Sequence, residues 1–171
     1  MATKFNLEHF FPGVSIADFE SHLNHPKLLE MLAEMPAFRA RDLLDKTEGD
    51  DGKITWRFKV VAGGEIPPAA QKVLSEDMLT WVETSTFDPS THSISWSIEP
   101  MVMKDKFSGF GTWKLHDENG GTRRVIEGTI EIKFRFVGKI AESFIIAELK
   151  KNYAVEPQIH QNFFDAMKNE G

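Results

Sequence analysis

The sequence predicts an α+β fold in which about seven antiparallel strands pack on a long C-terminal helix. Residues 124–137 alternate between apolar and charged side chains, which is typical of a strand with one buried face. Gly138 leads from this strand into a helical run over 139–169. The apolar stripe of that run consists of Ile145, Leu149, Tyr153, Ile159, Phe163 and Met167. Because a strand face and a helix face this apolar are joined by a single glycine, we expect them to pack on each other.

The first part of the chain predicts one strand followed by two short helices. Residues 3–11 alternate, and the inward set is Phe5, Leu7, His9 and Phe11. Ser15 is placed to cap a helix over 16–23. Pro26 occupies the first position of a second helix, where its missing N–H costs nothing, and Pro36 ends that helix.

The middle of the chain predicts a meander of strands joined by tight turns. The predicted strands are 38–45, 54–61, 78–87, 92–98 and 107–116. Glycine, proline, asparagine and aspartate cluster between most of them, which favours short hairpins and therefore antiparallel pairing. A short helical segment over 69–74 interrupts the strands.

The composition of the chain argues against several classes of function. The 171 residues predict a single domain over 1–171, and the net charge of −6 argues against a nucleic-acid partner, which requires a basic face. The absence of cysteine excludes disulfides and thiolate metal sites. His22 and His25 lie at a helix end, where capping explains them better than metal binding, so we expect no metal and no cofactor.

No apolar run is long enough for a transmembrane segment, although transient membrane contact is compatible with the sequence. With no signal sequence, the expected location is cytoplasmic.

Three segments carry a resemblance to a known family: Ile66-Pro67-Pro68, the hairpin 117–121, and residues 124–142. With the order of elements along the whole chain, they resemble the START-like (SRPBCC) helix-grip superfamily, which includes polyketide cyclases, the birch-pollen-allergen type and lipid-transfer domains. The nearest likeness is to a bacterial subgroup of unknown function. The resemblance implies a curved sheet that grips the last helix, with an apolar cavity between them. In many members that cavity takes a lipid, sterol, polyketide or other hydrophobic small molecule.

Aromatic and glycine residues on the predicted inner faces are candidates for the cavity wall. Indole rings on separate strands can flank a flat or apolar ligand, or simply fill the core. Gly109 and Gly111 alternate with aromatic residues, which either lets the strand bend or leaves room for a ligand. The complete predicted ligand-binding set is His9, Trp56, Trp96, Gly109, Gly111, Trp113, Ile130, Phe134, Leu149, Tyr153, Glu156 and His160.

Four polar residues fall on these otherwise apolar faces. Glu156 and His160 are four residues apart on the helix stripe, where they can hydrogen-bond to each other. They either reach solvent at the rim or line the cavity. His9 has inward parity on the first strand, as a satisfied core histidine or as a functional group. Arg124 has inward parity on the last strand, where it either anchors a ligand or projects to solvent.

These observations favour a binding or carrier protein for a hydrophobic small molecule or lipid. One alternative is a cyclase, dehydratase or hydrolase that uses Glu156, His160 and His9 as acid and base groups. Another is a co-chaperone-like interaction module whose core is filled by its own side chains and which exposes an apolar patch. The sequence leaves the ligand and the oligomeric state open.

Overall fold

The computed structural model describes residues 2–35, 38–63, 66–71 and 74–170, and within them it contains seven strands and four α-helices. The strands are β1 (Thr3–Pro12), β2 (Phe38–Glu48), β3 (Ile54–Ala62), β4 (Thr80–Asp88), β5 (Ser93–Pro100), β6 (Phe107–Glu118) and β7 (Gly121–Ile132). The helices are α1 (Ile16–Ser21), α2 (Pro26–Ala33), α3 (Pro68–Gln71) and α4 (Gly138–Glu170), with a 3₁₀ turn at Glu76–Leu79.

The seven strands form one antiparallel sheet in the order β1-β7-β6-β5-β4-β3-β2. From β2 to β7 each strand pairs with its neighbour in the chain, whereas β1 pairs with β7. The sheet is curved and α4 lies against it, which confirms the predicted fold class. A sheet and a long helix bury their apolar faces against each other, so the core lies between the sheet and α4.

The two short helices begin where the capping residues predict. The hydroxyl of Ser15 accepts a hydrogen bond from the N–H of Asp18 at 3.1 Å, and α1 follows. His25 caps α2 by accepting from the N–H of Lys27, so the expected capping role of this histidine is confirmed. The predicted end of α2 at Pro36, like residues 72 and 73 of the predicted segment 69–74, lies outside the described residues.

The last strand ends five residues earlier than predicted. The alternation over 124–137 continues in the sequence, but β7 stops at Ile132, which pairs with the first residue of β6, Phe107. Because no further residues of β6 extend beyond that point, the chain leaves the sheet and turns toward α4. Phe136, predicted to lie inward, has a φ of 71° and is 87% exposed. Phe134 lies outside the strand and packs at the edge of the core.

The buried apolar side chains form three clusters, two of which join the sheet to α4 and to the short helices, while the third lies on β3, β4 and β5. The first part of α4 packs Ile145, Leu149 and Tyr153 against the sheet. Beyond Pro157 the buried side chains are His160, Phe163 and Phe164, which pack under α1 and α2. None of the helices in the described residues is long and apolar enough to cross a membrane.

Candidate functional site

A cavity of about 250 Å³ lies between the inner face of the sheet and α4. Its apolar wall comes from both layers and includes Trp81, Trp96, Trp113, Ile130, Ile145 and Leu149. The strand residues reach it because alternate positions on a strand share one face. The helix residues reach it because Ile145, Leu149 and Tyr153 are four residues apart and lie on one side of α4.

Arg124 and Glu156 form a buried ion pair on this wall. Nη1 of Arg124 donates to Oε1 of Glu156 at 2.9 Å, and Nη2 donates to Oε2 at 3.2 Å. Arg124 is 3% exposed and the Glu156 side chain 14% exposed. A two-point contact of this kind is stronger and more directional than a single charged hydrogen bond. Since both oxygens of Glu156 are engaged, this carboxylate is held in one orientation.

His9 provides a third hydrogen bond to the guanidinium of Arg124, whose Nε is buried and has no hydrogen-bond partner among the described residues. It lies directly opposite Arg124 in the pairing of β1 with β7, so the two side chains share a face of the sheet. Nη2 of Arg124 donates to Nδ1 of His9 at 3.0 Å. Because a guanidinium can only donate, Nδ1 of His9 is unprotonated and the ring proton of the neutral imidazole is on Nε2.

Aromatic rings enclose the charged group. The guanidinium carbon of Arg124 lies 5.2 Å from the ring centre of Phe11 and 5.8 Å from those of Trp113 and Tyr153. Ring faces attract cations, and the enclosure excludes water, which strengthens the charged hydrogen bonds. The arginine is therefore fixed by its surroundings rather than free to reorient in the cavity.

His160 lies one helical turn after Glu156. Its Nδ1 is 3.2 Å from the main-chain oxygen of Glu156 and 3.3 Å from Oε1 of the same residue. Its ring stacks on Phe19, with ring centres 5.7 Å apart. This histidine is buried and lines the cavity.

Burial sets the protonation states in this group of residues. It lowers the pKa of His160 and of His9, and the charge of Arg124 lowers both further, so both imidazoles are neutral at neutral pH. Burial alone would raise the pKa of Glu156, but the charge and hydrogen bonds of Arg124 hold it below the usual value, and the carboxylate is ionised. Burial raises the pKa of Tyr153, which therefore remains a phenol.

A second ion pair lies elsewhere on the wall. Nη2 of Arg41 is 3.5 Å from Oε1 of Glu83, and the hydroxyl of Ser85 donates to the same oxygen at 3.3 Å. The guanidinium of Arg41 lies over the ring of Phe58 at 3.8 Å. Sequence reasoning missed these residues. A pattern in the sequence could have found them: Glu83 and Ser85 are two and four residues after Trp81 on β4. Alternate positions of a strand share a face, so these polar side chains lie on the same face as Trp81.

The sequence profile of DUF2505, a family described as proteins of unknown function, matches residues 8–163. The chain belongs to this family. No curated protein matches its sequence. The fold of this DUF2505 member is similar to several solved structures, at identities that show the fold alone.

The aromatase/cyclase Zhui from Streptomyces sp. R1128 is 13% identical, with a TM-score of 0.64, over 95% of this chain and 93% of that one. TTHA0849 from Thermus thermophilus is 15% identical, with a TM-score of 0.62, over 94% and 95% of the two chains. Ara h 8.0201 is 12% identical, with a TM-score of 0.58, over 92% and 97%. These likenesses confirm the helix-grip fold that the resemblance implies.

The structure brings seven of the twelve predicted ligand-binding residues of this DUF2505 member to the cavity wall. They are Trp96, Trp113, Ile130, Leu149, Tyr153, Glu156 and His160. The other five do not line it. His9 contacts Arg124 instead, Trp56 is 4% exposed within the core, and Phe134 packs at the edge of the core. The alternation along each strand correctly predicts that these three side chains face inward. It does not predict whether an inward side chain lines the cavity or packs within the filled core.

The two glycines also differ from the expectation that they leave room for a ligand. A Cβ on Gly109 would lie 2.7 Å from the side chain of Ile98. A Cβ on Gly111 would lie 2.7 Å from the indole of Trp96 and would overlap the main-chain oxygen of Glu127. The space above these glycines is therefore occupied by neighbouring side chains. Strand β6 can pack this closely only because glycine has no Cβ.

Within the described residues, no group of three or more metal-ligating side chains comes together. His22 and His25 instead pack against the ring of Phe163, with ring centres 5.6 and 5.3 Å away.

Proposed function

We propose that this protein binds a hydrophobic small molecule or lipid in the cavity between the sheet and α4. The observation that carries the proposal is the cavity itself, a space of about 250 Å³ with a mainly apolar wall. Transfer of apolar surface from water into such a space is favourable without any specific contact. Pockets for small molecules are typically concave and apolar, with a few placed polar groups.

The cavity also supports binding over the alternative of an interaction module with a filled core. Its wall combines large rings such as Trp96 and Trp113 with the polar side chains of Tyr153 and Asn152. The apolar part suits the body of a ligand, and the polar part suits a hydrogen-bonding group that orients it. The fold is shared with the aromatase/cyclase Zhui, which supports the same interpretation by analogy only.

Native mass spectrometry of the freshly purified protein, followed by solvent extraction, tests the proposal directly. The expected result is an excess mass that is lost on extraction and recovered as a hydrophobic compound. Uptake of the neutral dye Nile red by the extracted protein gives an independent measurement. Absence of both a co-purifying compound and dye uptake would contradict the proposal.

A matched pair of variants on α4 locates the site. Leu149→Trp enlarges a side chain on the cavity wall, so it should abolish dye uptake. Val155→Trp makes a similar change at a position that is 51% exposed on the same helix, so it should leave uptake intact. Circular dichroism and thermal unfolding establish that both variants fold. Equal uptake by the two variants would place the dye outside the cavity.

One observation favours an enzyme as the second candidate. His160 lines the cavity and is neutral, which is the state that a general base requires. Glu156 is less suited to proton transfer because Arg124 engages both of its oxygens. Incubating an extracted ligand with the wild type and with His160→Gln tests this alternative. A mass change that occurs only with the wild type would support catalysis, and an unchanged ligand would support binding alone.

A further inference from the structure

Every charged side chain on the described part of the cavity wall has a partner of opposite sign. Arg124 pairs with Glu156 at 2.9 Å and Arg41 with Glu83 at 3.5 Å. The remaining charged lining residue, Glu148, pairs with Lys151 on the outside of α4 at 2.8 Å. The five charged residues of the described wall are two arginines and three glutamates, and the excess negative charge, that of Glu148, is balanced by Lys151 outside the cavity.

The most deeply buried pair has little capacity to serve a charged ligand. The guanidinium of Arg124 already donates to both oxygens of Glu156 and to Nδ1 of His9. The Nε of Arg124 is buried without a hydrogen-bond partner in the described part of the chain, so a neutral acceptor could use it. A ligand carboxylate there would instead place a second buried anion beside a single cation. A ligand ammonium would compete for Glu156 and leave Arg124 unpaired. Burial of an unpaired charge is far more costly than burial of a neutral polar group.

Neutral hydrogen-bonding groups, in contrast, lie along the same wall. Tyr153 supplies a phenol hydroxyl, Asn152 and Asn24 supply amides, and Ser85 supplies a hydroxyl. A hydroxyl, carbonyl or ester group can pair with these side chains without disturbing either ion pair.

We propose that the cavity selects an uncharged amphiphile, with an apolar body and a hydroxyl, carbonyl or ester group, and discriminates against carboxylates, phosphates and amines. This inference rests on the proposed binding function and specifies its ligand class. The two ion pairs act as built-in counter-charges: they make the wall polar while leaving no net charge for an ionic ligand to neutralise.

A series of ligands with the same alkyl chain tests the selection. Decan-1-ol, decanoate and decylamine are titrated at neutral pH into the extracted protein with Nile red bound. Decanol is expected to displace the dye at a concentration at least about 10-fold lower than either ionic compound, because only the ionic compounds bring an unpaired charge into the cavity. Equal displacement by all three, or stronger displacement by an ionic compound, would overturn the inference.

Two variants that remove one anion of an ion pair should increase the affinity of the cavity for decanoate. Glu156→Gln leaves Arg124 without its anion, so decanoate should now displace the dye better than it does from the wild type, by at least about 10-fold. Glu83→Gln releases Arg41 in the same way at the more exposed pair, and it provides the test if Glu156→Gln does not fold. Glu127→Gln, the same change on the exposed outer face of β7, is the matched control and should retain the wild-type order. If neither cavity variant gains affinity for decanoate, the ion pairs do not set the selection and the inference is wrong.

The outcomes separate this inference from the function on which it rests. If Nile red does not bind and nothing is extracted, the binding function fails. If Nile red binds and responds to Leu149→Trp, but decanol does not displace it ahead of the ionic compounds, the binding function stands and the neutral-ligand inference fails.

Discussion

The imidazole of His9 lies beside Tyr153, with their ring centres 5.9 Å apart. Burial lowers the pKa of this histidine, and its contact with the main chain of Tyr153 offsets part of that effect. Tyr153 is four residues before Pro157, which lies inside α4. Because proline has no N–H, the carbonyl at the position four residues earlier loses its helical partner. His9 accepts from Arg124 through Nδ1, which leaves its Nε2–H to serve that carbonyl. We therefore expect this histidine on β1 to compensate for the proline in α4.

A double-mutant cycle between His9 and Pro157 tests this compensation. Pro157→Ala restores the helical N–H, so the carbonyl of Tyr153 no longer depends on His9. We expect His9→Ala to cost about 1 kcal/mol more in the wild type than in the Pro157→Ala background, the usual contribution of one hydrogen bond. The measurement is the free energy of unfolding by urea for all four proteins. Additive effects would show that the two residues are not coupled.

Arg124 and Glu156 should be more costly to separate than to remove together. Arg124→Met leaves a buried carboxylate without its cation, so the free energy of unfolding should fall by about 3–5 kcal/mol. The double variant Arg124→Met/Glu156→Leu has no unpaired charge, and its loss should be much smaller. Urea denaturation of the three proteins measures both effects. A double variant as unstable as the single one would mean that packing, rather than charge, explains the loss.

Acid should destabilise the protein through the buried His160 and the half-buried His9. The pKa of His160 and that of His9 are lowered from 6.5 in the folded state. Below that value the unfolded chain binds protons that the folded chain does not, so the free energy of unfolding decreases as the pH falls. The effect should begin at a pH of about 6.5, well above the pH at which Glu156 is protonated, because the pKa of Glu156 is held below 4.5.

Unfolding curves across that interval for the wild type and for His160→Gln test the pH dependence. The variant lacks one of the two histidines whose pKa is lowered, so its stability should depend less steeply on pH. His116→Gln is a suitable control because this histidine is exposed on β6. A slope that is the same in all three proteins would exclude His160 as its source.

The glycine in the middle of β6 should not tolerate a side chain. Gly111→Ala places a Cβ against the main chain of Glu127 and the indole of Trp96, so it should destabilise the protein by about 1–3 kcal/mol, as overpacking does. Thr112→Ala, at the next and exposed position, is the matched control and should have little effect. Thermal unfolding measures both. Equal stability of Gly111→Ala and the wild type would show that the strand can move away from its neighbour.

Local patterns predicted the fold well because strands and helices are periodic. Alternation predicted the strands and their inner faces, and the cap at Ser15 and the proline at the first position of α2 located the two short helices. The end of β7 was the main error. The alternation of residues 133–137 satisfies the pattern of a strand, but a strand also requires partners, and those end at Phe107.

The candidate site was only partly predictable. Periodicity placed His9 and Arg124 on the inner face of the sheet and Glu156 and His160 on the inner stripe of the helix. It could not show that Arg124 meets Glu156, which is 32 residues away, or His9, which is 115 residues away. Those distances in sequence are closed by the pairing of β1 with β7 and by the packing of α4 across them.

The sequence by itself therefore determined which side chains point inward, because that property depends on the repeat of each strand or helix. Only the tertiary structure decided which of them fill the core and which line the cavity. The indole of Trp96 covers Gly111, while Trp56 is enclosed by its neighbours on the sheet. Whether a space remains open depends on the total volume of the side chains that face each other from different elements. A local sequence pattern describes one element at a time and therefore cannot predict that volume.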